Sequence, residues 1–264
     1  MSDQSGKWDD LAPRLMSAAV LIAIGAFEIY TGGHGFHFLV ALICGAMAWE
    51  LVRMISPSQV RQAQAMGLIV GAAVMSMAYV PVAFGLPLLL APVMIGIALL
   101  GQNRTFWVSY SPLVILAGLS LITLRDDFSA RWIVWFVLVV IASDVLGYFA
   151  GRIIGGPKFW PKVSPKKTWS GTVAGWVGAG LIGWGFVGVE GAGLGLIGVS
   201  VSLAMAAQMG DIAESAIKRK MGVKDSSALI PGHGGVMDRF DGMVGAAVLL
   251  LVAGPLAGVP PVTL

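Results

Sequence analysis

Almost the whole chain is divided into apolar runs of about 20 residues, the length a helix needs to cross the hydrocarbon core of a bilayer. Nine such runs can be traced, at 14–31, 36–54, 63–80, 83–101, 105–124, 131–151, 170–188, 192–213 and 239–257. Composition agrees, with 57% hydrophobic and 12% charged residues, against roughly 45–50% and about 25% in soluble domains. In hydrocarbon, backbone groups must bond within their own segment, so the runs predict helices. The expected fold is an all-α, polytopic integral membrane protein with about nine transmembrane helices, one domain over 1–264. Only the short turn marked by Pro81, Gly85 and Pro87 divides the third run from the fourth. The fifth, with Ser109, Ser111 and Pro112, is expected to be kinked or short. The first run follows Lys7, Asp9, Asp10 and Arg14 and ends in no small-residue cleavage site, so it reads as an uncleaved span. The single cysteine, Cys44, excludes an intrachain disulfide and a cysteine-based metal centre.

The loops set an orientation. With the N-terminus in the cytoplasm, Lys7, Arg14, Arg53, Arg61, Arg104, Arg152, Lys158, Lys162, Lys166, Lys167, Lys218, Arg219, Lys220, Lys224 and Arg239 fall on the cytoplasmic side. Of the 17 basic residues, only Arg125 and Arg131 fall outside. This is the asymmetry of the positive-inside rule. It accounts for the net charge of +3 without a nucleic-acid partner. It also sends the C-terminus outside and brings two polar loops, 152–169 and 214–238, to one cytoplasmic face.

Chemistry concentrates in 211–242, which holds about a third of the chain's charged residues. Asp211, Glu214, Ser215 and Lys218 stand at i, i+3, i+4 and i+7 and share one helical face. Asp238 and Asp241 share another at the start of the ninth run. Isolated charges here would be helix-end caps. Five carboxylates within about 30 residues, with no cysteine, suit a hard cation such as magnesium. The glycines around His233 can turn backbone N–H groups toward a phosphate. The other loop offers Lys158, Lys162, Ser164, Lys166, Lys167 and Thr168 ahead of a helix start, where donors and dipole favour anions. Its alternative is a basic patch on anionic lipid. Asp144, inside the sixth run, is a costly place for a carboxylate, and Tyr148 lies one turn away. Glu28, Glu50 and Glu190 sit near run ends and are read as interfacial charges without a role. An ion-coupled transporter would place its carboxylates near the midplane and show an inverted repeat; no repeat is legible, and the charges cluster at one face.

Three stretches carry a resemblance. They are Ser215-Ala216-Ile217-Lys218-Arg219, Lys224-Asp225, and Pro231-Gly232-His233-Gly234-Gly235-Val236-Met237-Asp238-Arg239-Phe240-Asp241. Supported by Gly210-Asp211 with Glu214, by Ser164-Pro165-Lys166-Lys167-Thr168 and by Asp144, the chain resembles the CDP-diacylglycerol synthases, or phosphatidate cytidylyltransferases. Ser170 departs from the pattern, standing where the family usually has a glutamate. The resemblance implies transfer of the cytidylyl group of CTP to phosphatidic acid, chiefly by residues 140–242. It implies Mg2+ on Asp211 and Asp238, with a monovalent companion such as K+. Lys218, Arg219, His233 and Asp241 join those two aspartates as expected catalytic residues, His233 as a phosphate-contacting or positioning group. Ser164, Lys166, Lys167, Thr168, Ser215, Lys224, Asp225, Gly234, Gly235, Arg239 and Asp144 are the expected substrate-binding set. A homodimer among membrane lipids, in a bacterial inner membrane with its site toward the cytoplasm, is the implied setting.

Overall fold

The computed structural model describes residues 11–261 except 231 and 233. Lys7, Pro231, His233 and Thr263 lie outside the described residues. Among those described, each apolar run forms one helix. These are α1 Leu11–Thr31, α2 Gly33–Ile55, α3 Val60–Met77, α4 Gly85–Leu99, α5 Arg104–Asp126, α6 Ala130–Ile153, α7 Trp169–Gly185, α8 Gly195–Met221 and α9 Met237–Ala257. Short 3-10 turns at Val82–Phe84 and Val189–Gly191 join α3 to α4 and α7 to α8. The turn between the third and fourth runs is thus a real break. The expected shortening of the fifth is not seen, and α5 runs over 23 residues with Pro112 inside it. Neighbouring helices and hydroxyl side chains let membrane helices tolerate proline.

Among the described residues, five helices, α2, α5, α6, α8 and α9, are long and apolar enough to cross a membrane; α4, with 15 residues, is apolar but shorter. Leu68, Ile153, Leu181 and Leu256 stand on the outer surface, as a lipid-facing exterior requires and an aqueous one does not tolerate over a large area. The chain is a multi-pass membrane protein. Its core centres on Met47 and Leu51 of α2, Trp107 of α5, and Trp132, Trp135 and Phe136 of α6, all fully buried.

Polar contacts fix the packing. Trp135 Nε1 donates to Ser200 Oγ at 3.0 Å, joining α6 to α8. Gln208 of α8 accepts from Trp176 Nε1 at 3.0 Å and donates to Thr172 O at 3.3 Å, so α7 is locked beside it. At the end remote from the polar loops, Glu190 is more than an interfacial charge. Ser129 Oγ and Trp132 Nε1 donate to it at 2.8 and 2.6 Å, pinning the α7–α8 turn to the start of α6.

Small residues decide how closely α8 and α9 approach. A Cβ added at Gly210 would lie 3.0 Å from Gly245 N, and one at Gly245 would lie 3.0 Å from Gly210 N. The two backbones touch where Asp211 follows Gly210, so the seam brings the carboxylates of one helix beside those of the other. The loop between α6 and α7 holds a hairpin the sequence reading did not anticipate. Strand β1, Lys158–Trp160, pairs antiparallel with β2, Ser164–Thr168, with Lys158 opposite Thr168 and Trp160 opposite Ser164.

Candidate active site

The helical period does on α8 what the spacing predicts. Ser215 Oγ donates to Asp211 Oδ1 at 3.2 Å, and Lys218 Nζ sits 2.5 Å from Glu214 Oε2 one turn further on. Glu214 is completely buried. The helix ends at Gly222, whose φ of 72° needs a glycine, while Val223 N closes onto Lys218 O at 3.0 Å. Arg219 turns to that end and donates to Val223 O at 3.3 Å. Cations in the last turn also suit the helix dipole.

The following segment turns back through Gly232 and Gly234, with φ of 74° and 82°, and Ile230 N bonds Gly234 O at 2.8 Å across the turn. It delivers the chain to Asp238 in the first turn of α9. Asp238 Oδ1 accepts from Lys218 Nζ at 2.7 Å. Its Oδ2 accepts from Ser226 N and Ser226 Oγ, both at 2.9 Å, and from Gly235 N at 2.8 Å. Lys218 therefore bridges α8 and α9. Asp241 lies one turn along, and its Oδ1 accepts from Gly242 N at 2.7 Å.

The basic hairpin reaches this place with one lysine. Lys167 Nζ lies 2.5 Å from Asp211 Oδ2. Lys158, Lys162 and Lys166 are exposed. Thr168 is buried and caps α7, its hydroxyl accepting from Gly171 N at 3.3 Å. Trp169 N bonds Pro157 O at 3.0 Å, so two of the N–H groups at this helix start already have partners. Ser170, the departure from the family pattern, donates to Gly155 O at 2.5 Å and holds the loop after α6 against the same turn. Asp144 on α6, Asp211 on α8 and Asp241 on α9 lie within each other's electrostatic reach, and Lys167 and Arg239 partly offset the repulsion felt by Asp144.

Three helix ends and the hairpin thus converge on Asp144, Lys167, Asp211, Ser215, Lys218, Asp238, Arg239 and Asp241. Ser164 remains in the hairpin ladder, and Lys166, Arg219, Lys224 and Asp225 are exposed around the cluster. Gly234 and Gly235 back directly onto it; a Cβ at Gly234 would lie 2.8 Å from Asp238 Oδ2. The sequence reading missed Glu50. It is fully buried on α2, and four donors from 226–237 surround its carboxylate.

The donor chemistry suits magnesium, which binds through one or two carboxylates plus waters and substrate phosphates. Among the described residues no group of three His, Cys, Asp or Glu is arranged as a metal cage, and magnesium needs none. A carboxylate has about four lone-pair sites. Among the described residues Asp211 takes contacts from Lys167 and Ser215, fewer than its lone pairs can accept. Asp238 meets four donor contacts, three of them on Oδ2, so a cation there would bind at Oδ1, where Lys218 is the donor.

Fold and site together define a multi-pass helical membrane protein with a cluster of carboxylates and cations at one end of its bundle. The chain matches the cytidylyltransferase family over residues 12–255 and belongs to it. It is 45% identical over 151 residues to a phosphatidate cytidylyltransferase of Brucella abortus, a match covering 55% of this chain and 56% of that protein. A phosphatidate cytidylyltransferase of Helicobacter pylori is 43% identical over 125 residues, 46% of each chain. One from Haemophilus influenzae is 38% identical over 130 residues, 46% of this chain and 45% of that one. The chain spans about half the length of the relatives it matches.

Proposed function

We propose that the protein transfers the cytidylyl group of CTP to phosphatidic acid, giving CDP-diacylglycerol and pyrophosphate. The contact between Lys167 and Asp211 carries this reading. It unites in one place the two polar segments that a nucleotide and a lipid phosphate both need. In the reaction, a phosphate oxygen of the lipid forms a bond to the α-phosphorus of CTP. The bond from that phosphorus to the bridging oxygen of the β-phosphate breaks, and its electron pair leaves on pyrophosphate. The attacking phosphate is already largely ionised, so no general base is required. The protein's task is to gather and neutralise mutually repelling phosphates.

Lys167, Lys218 and Arg239 supply positive charge there, and the turn through Gly232 and Gly234 supplies backbone N–H groups. Asp211 and Asp238 would hold Mg2+, with a monovalent companion such as K+, which neutralises charge on the departing pyrophosphate. Glu214 holds Lys218 in place from its buried position. Because CTP is cytosolic, the site faces the cytoplasm, in keeping with the basic loops, and the membrane is the inner membrane of a bacterium. The test uses the purified protein in detergent with magnesium, phosphatidic acid and CTP labelled at the α- or the γ-phosphorus. Label should pass to lipid from the α-position and appear in pyrophosphate from the γ-position. No lipid product across a panel of lipid phosphates would refute the proposal.

A further inference from the structure

A carboxylate taken out of water is costly unless its lone pairs are filled. Those of Glu50 are filled by one distant segment. Oε1 accepts from Ser227 Oγ at 2.6 Å and Val236 N at 2.9 Å, and Oε2 from Met237 N at 2.6 Å and Ser226 Oγ at 3.1 Å. Val236 and Met237 open α9, where N–H groups have no intrahelical partner. Val236 itself provides no side-chain cap. Glu50 therefore caps α9 from another helix and sets negative charge at the positive end of its dipole.

Ser226 extends the arrangement to Asp238. Its hydroxyl lies 3.1 Å from Glu50 Oε2 and 2.9 Å from Asp238 Oδ2, so one hydrogen is shared between two carboxylates. Its backbone N–H secures Asp238 as well. A Cβ at Gly235 would come within 2.5 Å of Glu50 Oε1 and collide with Ser226 Oγ. Glycine is required at 235 for space, because the Glu50 carboxylate lies beneath it.

We infer that Glu50 is a positioning residue of the site: it sets the start of α9 and, through Ser226, the orientation of Asp238. An isosteric amide cannot replace it. Each carboxylate oxygen faces two donors, one a fixed backbone N–H, so either flip of a glutamine turns its NH2 group against donors. The kinetic consequence rests on cytidylyl transfer as the activity; the structural one does not.

The test compares the full chain in detergent with Glu50→Gln and Ser226→Ala, by amide hydrogen exchange and by steady-state kinetics per folded molecule. In Glu50→Gln, exchange at Val236 and Met237 should quicken about 10-fold or more while α6 and α7 stay protected. The kcat should fall about 10-fold or more, with the KM for CTP within about 3-fold of wild type. Ser226→Ala serves if Glu50→Gln does not fold: Val236 and Met237 should stay protected while kcat falls about 3-fold or more. A purely structural role would lower thermal stability and leave kcat per folded molecule unchanged. Wild-type kcat in the folded variants, or unchanged exchange at 226–237 in Glu50→Gln, would overturn the inference. A wild-type protein without transferase activity would instead sink the proposed function, and exchange alone would then decide the role of Glu50.

Discussion

Lys167 Nζ lies 2.5 Å from Asp211 Oδ2 although the whole of α7 separates the two residues in sequence. Its neighbour Lys166 is exposed, so adjacent lysines should behave differently. Lys167→Ala is expected to lower kcat/KM for CTP or phosphatidate by roughly 10- to 100-fold, the loss for one charge-assisted contact. Lys166→Ala should stay within about 3-fold. Equal effects, measured under identical detergent conditions, would mean that the hairpin acts through bulk charge only.

Lys218 joins buried Glu214 and Asp238. Removing one partner of a buried ion pair leaves uncompensated charge and costs about 3–5 kcal/mol. Lys218→Met should lower the unfolding temperature accordingly. Adding Glu214→Gln to it should recover part of the loss, because a neutral buried pair is well tolerated. Thermal unfolding in detergent of the single and double variants checks both statements.

The α8–α9 seam should tolerate no side chain at Gly210. A Cβ there would lie 3.0 Å from Gly245 N and 3.2 Å from Gly245 Cα. Gly210→Val is expected to cost about 1–3 kcal/mol by overpacking and to reduce turnover by spreading Asp211 from Asp238. Gly198 lies in the same helix, and a Cβ there would meet nothing within 4 Å. Gly198→Ala should be neutral or stabilising, since alanine is the better helix former. Unfolding temperatures and kcat for the two variants make the comparison.

Orientation can be read in intact cells. In a Cys44→Ala background, a cysteine at the exposed Lys162 of the hairpin should resist a membrane-impermeant thiol reagent until the cells are permeabilised. One at the exposed Asp127, in the α5–α6 turn, should react at once. The opposite pattern would place the charged end of the bundle outside.

The helices were legible because each apolar run has the length and backbone demands of a membrane helix. The carboxylate face of α8 was legible because the 3.6-residue period fixes it. Glu50 was not: its donors lie at least 176 residues away in sequence, and before packing is known a carboxylate near a helix end looks like any interfacial charge. Glu190 was hidden for the same reason. The hairpin escaped notice because Ser164-Pro165-Lys166-Lys167-Thr168 lacks apolar alternation; its pairing follows from the close approach of α6 and α7, where a Cβ at Gly147 would lie 3.3 Å from Gly171 O. The partner chosen by Lys167, among several nearby carboxylates, also depended on that packing.

The most direct measurement is transfer of α-labelled CTP to phosphatidic acid by purified protein, run beside Asp211→Asn and Asp238→Asn over a magnesium titration. The account predicts lipid-bound label with wild type. Both variants should remain folded yet lose at least about 100-fold in rate at every magnesium concentration. Near-normal transfer by folded Asp211→Asn and Asp238→Asn, or no transfer by wild type, would contradict it.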